Sequence, residues 1–172
     1  SVSFTTDYQQ LRDAGLVIEA ATENVTIKRR IFAQLEEICG ESAILASNSS
    51  HLQPERIFEA MKHRGRTLVI HYFFPAERNP VVEIVSGADT DPALAQRMMS
   101  FYEAIGKVPL RVASRYGFAV NPVFEGIFLA AALAVEAGLG TTREVDAAAR
   151  RALGLGVGPF TAMNLTGGNP IT

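Results

Sequence analysis

Two side chains twelve residues apart, His71 and Glu83, are the pair in this sequence best suited to chemistry. Imidazole titrates near neutral pH. A carboxylate beside it fixes its tautomer and stabilises the imidazolium formed when a proton is taken, so together they make a general base and its orienting acid. The stretch that carries them, LVIHYFFPAERNPVVEIV over residues 68–85, is two apolar runs joined by a polar bend. Leu68, Val69 and Ile70 read as a buried strand with His71 where it ends. Prolines bracket residues 75–80 and lack the donor a strand ladder needs, so the chain turns there and Val81 begins a second strand. Histidine and carboxylate can then meet across the turn. The same residues also suit a plainer arrangement, a strand-end histidine bonded to backbone and a solvated glutamate.

Three more polar groups stand where chemistry could occur. Glu23 and Lys28 are five apart at a helix entrance, Asn48-Ser49-Ser50-His51 follows an apolar run, and Asn121 lies in GFAVNP before a long helix. Each has a structural alternative: a first-turn acid with a surface lysine, turn chemistry with a helix cap, and a cap for the helix that follows.

The elements that must position these residues alternate. Residues 2–5 read as a short strand, Asp7 caps a helix through Ala14, and residues 16–20, LVIEA, form a compact apolar run of the kind covered on both faces of a parallel sheet. Residues 25–38 carry apolar side chains at helical spacing, with Lys28-Arg29-Arg30 expected on a solvated face. Residues 42–47 repeat the buried-strand pattern, and Pro54 opens another helix. Asp91 caps a helix that Gly106 closes, and residues 108–112 form a last strand. This order predicts an α/β fold, an open and mostly parallel sheet wrapped by helices, in which ligands bind beyond the carboxyl ends of the strands. Past Tyr116-Gly117 the chain turns Ala- and Leu-rich, with helices expected over residues 123–137 and 144–153. The predicted division is therefore an α/β region over residues 1–115 and a helical one over residues 116–172.

Composition excludes several classes. The chain has 172 residues, 48% hydrophobic and 20% charged, with 14 Gly and 8 Pro, as a folded globular chain does. A net charge of -2 leaves no electrostatic footprint for nucleic acid. The single cysteine, Cys39, cannot form an internal disulfide, which points to a cytoplasmic or organelle-matrix setting. No apolar run approaches the ~20 residues that span a bilayer.

Five segments, VIEAATENVTIKRRIF, ILASNSSHL, HYFFPAERNPVVEIVSG, IGKVPLRVASRYGFAVNPVF and ARRALGLGVGPF, resemble in order and spacing the L-3-hydroxyacyl-CoA dehydrogenases. The resemblance implies a partial Rossmann-type, doubly wound sheet followed by the start of an all-α C-terminal domain. The implied activity is NAD-dependent oxidation of an L-3-hydroxyacyl-CoA, with acyl-CoA as substrate, NAD as cofactor and no metal. His71 matches the family's base and Glu83 the carboxylate that orients it. Ser50 matches a serine near both nicotinamide and substrate, and Asn121 an asparagine that helps hold the substrate or polarise its carbonyl. Glu23, Lys28 and Ala20 match positions on the cofactor side. The resemblance also implies a homodimer or one part of a multidomain chain.

The sequence departs from that pattern in four places. Phe74 replaces an asparagine near the nicotinamide, Pro122 replaces an arginine, and His51 replaces a small residue beside Ser50. No GxGxxG turn occurs. The family's first two strands and that turn have no counterpart here, SVSFTTDY matching its third strand. The chain alone is thus expected to bind NAD weakly and to show no turnover, and the strand at residues 16–20 is expected to present a bare apolar edge unless another strand or chain covers it. Two other readings stay open: a non-catalytic, dehydrogenase-like structural module, and a related enzyme acting on a non-CoA hydroxy acid.

Overall fold

The computed structural model describes residues 2–165. Residues 166–172, assigned above to the helical region, lie outside the described residues. The chain folds as two units, Ser1–Ala119 and Val120–Thr172.

The first unit is built on five strands, β1 (Leu16–Glu19), β2 (Ile44–Ser47), β3 (Thr67–Tyr72), β4 (Val81–Ser86) and β5 (Val108–Ala113), ordered in space as in sequence. The pairs β1/β2, β2/β3 and β4/β5 are parallel, and β3/β4 is antiparallel. Helix α1 (Val25–Ile38) connects β1 to β2, the single turn α2 (Pro54–Ile57) lies between β2 and β3, and α3 (Pro92–Ala104) connects β4 to β5.

The reversal at β3/β4 decides which face each helix covers. Right-handed crossovers from β1 to β3 place α1 and α2 on one face. The chain then runs the opposite way along β4 while the sheet grows in the same lateral direction, so the same handedness carries α3 to the other face. The core is split accordingly. Phe32 and Leu35 of α1, with Ile57 and Phe58, pack on Leu45, Val69 and Val85. Leu94, Met98 and Tyr102 of α3 pack on Ile44, Ala46, Leu68, Ile70, Val82 and Ile84. Consecutive strand residues face opposite ways, which is why β2, β3 and β4 read as unbroken apolar runs. Each buried Leu, Ile, Phe or Met contributes about 1.5–3 kcal/mol of burial free energy.

The helix boundaries follow from capping. Asn24 Oδ1 accepts from the N–H groups of Thr26 and Ile27 at 3.0 and 3.1 Å and starts α1. Asp91 Oδ1 accepts from the N–H of Ala93 at 2.9 Å, with Pro92 as first helical residue of α3. Gly106, at φ +81°, lets the chain leave that helix for β5.

Several expectations are corrected. Residues 2–5 form no strand and are exposed; among the described residues no strand pairs with them, and an unpaired β-rich tetrapeptide gains no ladder to offset its ordering entropy. Asp7 caps a short 3₁₀ turn, Tyr8–Leu11, rather than a helix reaching Ala14. Strand β1 stands at the sheet margin, paired only with β2, with Leu16, Val17 and Ile18 half-buried. The expected open edge is therefore present among the described residues.

The second unit contains α4 (Val120–Glu136), α5 (Thr142–Leu153) and α6 (Pro159–Leu165), the last not expected from the sequence. A capping box starts α5: Thr141 Oγ1 accepts from the Glu144 N–H at 3.3 Å, and Glu144 Oε2 accepts from the Thr141 N–H at 2.8 Å. The Thr141 N–H and then the Thr141 hydroxyl, both donating to Glu144 Oε2, hold the exposed Glu144 carboxyl below its usual range. Asp146 on α5 closes the start of α6, accepting from the N–H groups of Phe160 and Thr161 at 2.8 and 3.0 Å. Gly158 makes room for that carboxylate, since a Cβ there would lie 2.3 Å from Asp146 Cγ. The three helices border an apolar groove of about 640 Å³, lined by residues such as Ile127, Leu139, Val145 and Leu153. Helix α4 is apolar on nearly every side, yet only Ala131 is buried.

Candidate active site

His71 is the fifth residue of β3 and Glu83 the third of β4, and the antiparallel register makes them direct partners. Direct partners project to the same face of a sheet, so the geometry the sequence left to a turn is supplied by the ladder. Imidazole Nδ1 and Glu83 Oε2 are 2.8 Å apart, with the two side chains 5% and 0% exposed. A carboxylate at that distance accepts a hydrogen bond from an Nδ1–H, which leaves Nε2 as the basic nitrogen. The other carboxylate oxygen, Oε1, accepts from the Ala119 N–H at 3.0 Å, so Glu83 is held at both ends. The imidazole lies among aromatic rings, with Phe73 at 4.5 Å and Phe118 at 5.6 Å between centroids. Phe118 has φ +57°, uncommon for a residue with a Cβ, immediately before the amide that bonds Glu83.

A second polar cluster gathers at the carboxyl ends of β1 and β2. Lys28 Nζ donates to Glu19 Oε2 at 2.7 Å and to Ser47 Oγ at 3.1 Å, and Ser47 Oγ donates to Glu19 Oε2 at 2.8 Å. All three side chains are buried, Lys28 to 1% exposure. This corrects the solvated-face expectation for Lys28-Arg29-Arg30: helix α1 turns Lys28 onto the sheet, Arg29 pairs with Glu59, and Arg30 alone is exposed. Burial pushes the Glu19 carboxyl up. Hydrogen bonds from Lys28, the Ala21 N–H and Ser47, with the Lys28 charge, outweigh that and hold it below its usual range.

Glu23 joins this cluster to the turn after β2. Its Oε2 is 3.7 Å from Lys28 Nζ. Its Oε1 accepts from Ser49 Oγ at 2.6 Å and from the N–H groups of Ser50 and His51, each at 3.0 Å. His51 Nδ1 is 3.8 Å from the same oxygen, and its ring meets Tyr116 in a tilted contact at 5.4 Å between centroids. Asn48 laces the strand ends together: its N–H donates to the Glu19 carbonyl at 2.7 Å and its Oδ1 accepts from the Tyr72 N–H at 3.1 Å.

Of the residues named from sequence, the structure brings His71 to Glu83, and Glu23 to Lys28, Ser50 and His51. Ala20 is the exposed residue immediately beyond β1. Asn121 is the second residue of α4, in the second unit, inside the helix rather than capping it. Pro122 follows in the first turn, where the missing N–H is an orphan anyway. Phe74 is 77% exposed. Sequence reasoning passed over Ser47 and Phe118, and gave Glu19 and Ser49 no individual role within their polar clusters. A signal for Glu19 was present, an ionisable residue closing the apolar run LVIEA. Nothing in the sequence marks Phe118.

The donor set suits the sugar and nicotinamide end of a dinucleotide. A half-exposed carboxylate on Glu23 can accept from sugar hydroxyls, Ser50 brings a hydroxyl and Lys28 a fixed positive charge, all at strand carboxyl ends. The sequence carries no GxGxxG motif for a pyrophosphate, so the fit covers only that end. Among the described residues no group of three or more His, Cys, Asp or Glu could hold a metal ion.

A sheet with helices on both faces and polar groups at its parallel strand ends places this chain among the Rossmann-type nucleotide-binding folds. Its sequence matches the family model for the 3-hydroxyacyl-CoA dehydrogenase NAD binding domain over residues 1–115, and that for the 3-hydroxyacyl-CoA dehydrogenase C-terminal domain over residues 117–170. The chain belongs to the 3-hydroxyacyl-CoA dehydrogenase family. It is 38% identical over 168 residues to a 3-hydroxybutyryl-CoA dehydrogenase of Mycobacterium tuberculosis, covering 96% of this chain and 59% of that protein. It is 37% identical over 161 residues to the peroxisomal fatty acid beta-oxidation multifunctional protein MFP2 of Arabidopsis thaliana, covering 94% of this chain and 22% of that one. The crystal structure of M. tuberculosis FadB2 superposes with a TM-score of 0.89 at 38% identity, over 95% of this chain and 58% of that one. The chain thus spans about three fifths of the first relatives it matches.

Proposed function

We propose that this chain is the catalytic portion of an NAD-dependent L-3-hydroxyacyl-CoA dehydrogenase, oxidising the 3-hydroxyl of an acyl-CoA to the 3-oxo group. The observation that carries the reading is the buried 2.8 Å contact of His71 with Glu83, a base with its tautomer set. Oxidation of an alcohol removes a proton from oxygen and a hydride from carbon. His71 Nε2 takes the proton, and Glu83 stabilises the imidazolium that results. NAD, when bound, supplies the hydride acceptor. Glu23, Lys28 and Ala20 line its side of the site, and Ser50 serves both cofactor and substrate. The aromatic rings beside His71 keep water from the base, and the buried Glu83 keeps the imidazole from rotating.

Membership of the family and the relatives' names support this reading over a purely structural module. A CoA thioester is favoured over a free hydroxy acid on the same ground. The assembly proposed is a homodimer or a segment of a multidomain chain; the Arabidopsis relative is named a multifunctional protein, and this chain matches 22% of it. The decisive test is oxidation of L-3-hydroxybutyryl-CoA by the full-length protein and by His71→Gln. A kcat loss of about 10²–10⁴-fold, the span of general-base catalysis, is expected. Equal activity in the two proteins overturns the assignment.

A further inference from the structure

Glu19 has no part in the proposed proton transfer, yet it is the most buried carboxylate at the cofactor side of the site. Its Oε1 accepts from the Ala21 N–H at 2.8 Å, and its Oε2 takes Lys28 Nζ at 2.7 Å and Ser47 Oγ at 2.8 Å. Ser47 also accepts from Lys28 at 3.1 Å, closing a triangle across α1, β1 and β2. The triangle fixes the end of a long, flexible side chain. Lys28 Nζ is drawn toward the strands and stands 3.7 Å from Glu23 Oε2, beyond hydrogen-bond reach.

That separation matters because Glu23 has another task. Its Oε1 receives three donors from the turn after β2: Ser49 Oγ, the Ser50 N–H and the His51 N–H. Those bonds shape the backbone that presents Ser50. An ammonium is a stronger donor to a carboxylate than a neutral amide is, so a Lys28 released from Glu19 would close on Glu23 Oε2 and pull the carboxylate away from the turn donors that reach its Oε1. Glu19 and Glu23 share one lysine, and the partition between them sets the turn.

We propose that Glu19 is a positioning residue for the cofactor side of the site: it holds Lys28 off Glu23, leaving Glu23 to order the Ser49–Ser50–His51 turn. The inference rests on the dehydrogenase reading for its consequence in catalysis, but not for its structural content.

The test uses the full-length protein, Glu19→Gln, which removes the charge at nearly constant shape, and Glu19→Asp, which keeps the charge on a shorter arm. Hydrogen exchange followed by mass spectrometry is read on the peptide carrying Ser50 and His51 and on peptides from β3 and β4. Calorimetry gives the NAD dissociation constant, and steady-state kinetics separates kcat from KM. In Glu19→Gln, exchange at Ser50 and His51 should quicken by at least about tenfold while β3 and β4 stay protected, as for a local opening. The NAD dissociation constant should rise about tenfold with kcat within about threefold, since His71 and Glu83 stand on other strands. Glu19→Asp should restore part of both. Unchanged exchange in the turn overturns the proposal, and so does loss of protection throughout the sheet in both variants, the mark of a group that serves only the fold. Should the wild-type protein fail to oxidise any L-3-hydroxyacyl-CoA, the dehydrogenase reading falls, while exchange at Ser50 and His51 still decides the role of Glu19.

Discussion

Replacing Glu83 by glutamine tests the pairing at the centre of the site with the least change of shape. The side chain is fully buried and bonded at both oxygens, to His71 Nδ1 at 2.8 Å and to the Ala119 N–H at 3.0 Å. An amide of the same size can keep one of these acceptor bonds, but it carries no charge to set against an imidazolium. A hydrogen bond to a charged group contributes about 1.5–3 kcal/mol against about 0.5–1.5 for a neutral one, so about 1 kcal/mol is lost from the bond alone. The Coulomb interaction across about 4 Å at an effective dielectric of 20 is about 4 kcal/mol, which bounds the loss from above. A central value of about 2–4 kcal/mol, felt only when His71 is charged, lowers kcat by about 30-fold to about 10³-fold. The assay is steady-state oxidation of L-3-hydroxybutyryl-CoA by the full-length protein, with the folded state checked by thermal melting. KM should move less than about threefold, because no ground-state binding contact is removed. A fully folded Glu83→Gln protein with kcat within about threefold of wild type would refute the role given to the carboxylate.

Other outcomes follow from the packing and the charges. Glu19 has a carboxyl pKa lowered by folding, so its contribution to stability is present above the unfolded value of about 4.3 and is lost as pH falls through the lower folded value. Urea unfolding across that acid range should show a flatter pH dependence in Glu19→Gln than in wild type. Gly158→Ala should destabilise the helical unit by about 1–3 kcal/mol, because its Cβ would meet Asp146 and drive the carboxylate off the start of α6; an unchanged melting temperature would contradict the close approach. Phe32→Ala, removing a ring that meets Phe58 edge-on at 4.7 Å between α1 and the sheet, should cost about 3–5 kcal/mol in denaturant unfolding. Tyr102→Phe removes the buried partner of the Tyr72 hydroxyl. It should cost about 1–2 kcal/mol, and the raised Tyr102 pKa, caused by burial and then by the Tyr72 bond, should leave the wild-type hydroxyl un-ionised in alkaline spectrophotometric titration.

The strands and long helices were legible because their patterns are local. LVIEA, AILAS, LVI and VVEIV are short apolar runs of the kind a sheet covered on both faces accommodates, and residues 25–38 repeat at helical spacing. Residues 2–5 misled because a strand needs a partner, and β-propensity says nothing about whether one is there. His71 and Glu83 stood out by residue type, and their spacing was recognisable through resemblance, but the direct pairing came from the antiparallel register of β3 and β4.

Residue types and their order thus determined the fold class, the candidate base and acid, and the family resemblance, since each depends on short-range pattern. Tertiary structure alone decided the partition of Lys28 between Glu19 and Glu23, the second bond that holds Glu83, and the place of Phe118 beside the imidazole. The physical reason is the same in all three. A buried polar group takes its partners from whichever elements packing brings against it, and those lie 9, 36 and 47 positions away in the cases of Lys28 with Glu19, Ala119 with Glu83, and His71 with Phe118.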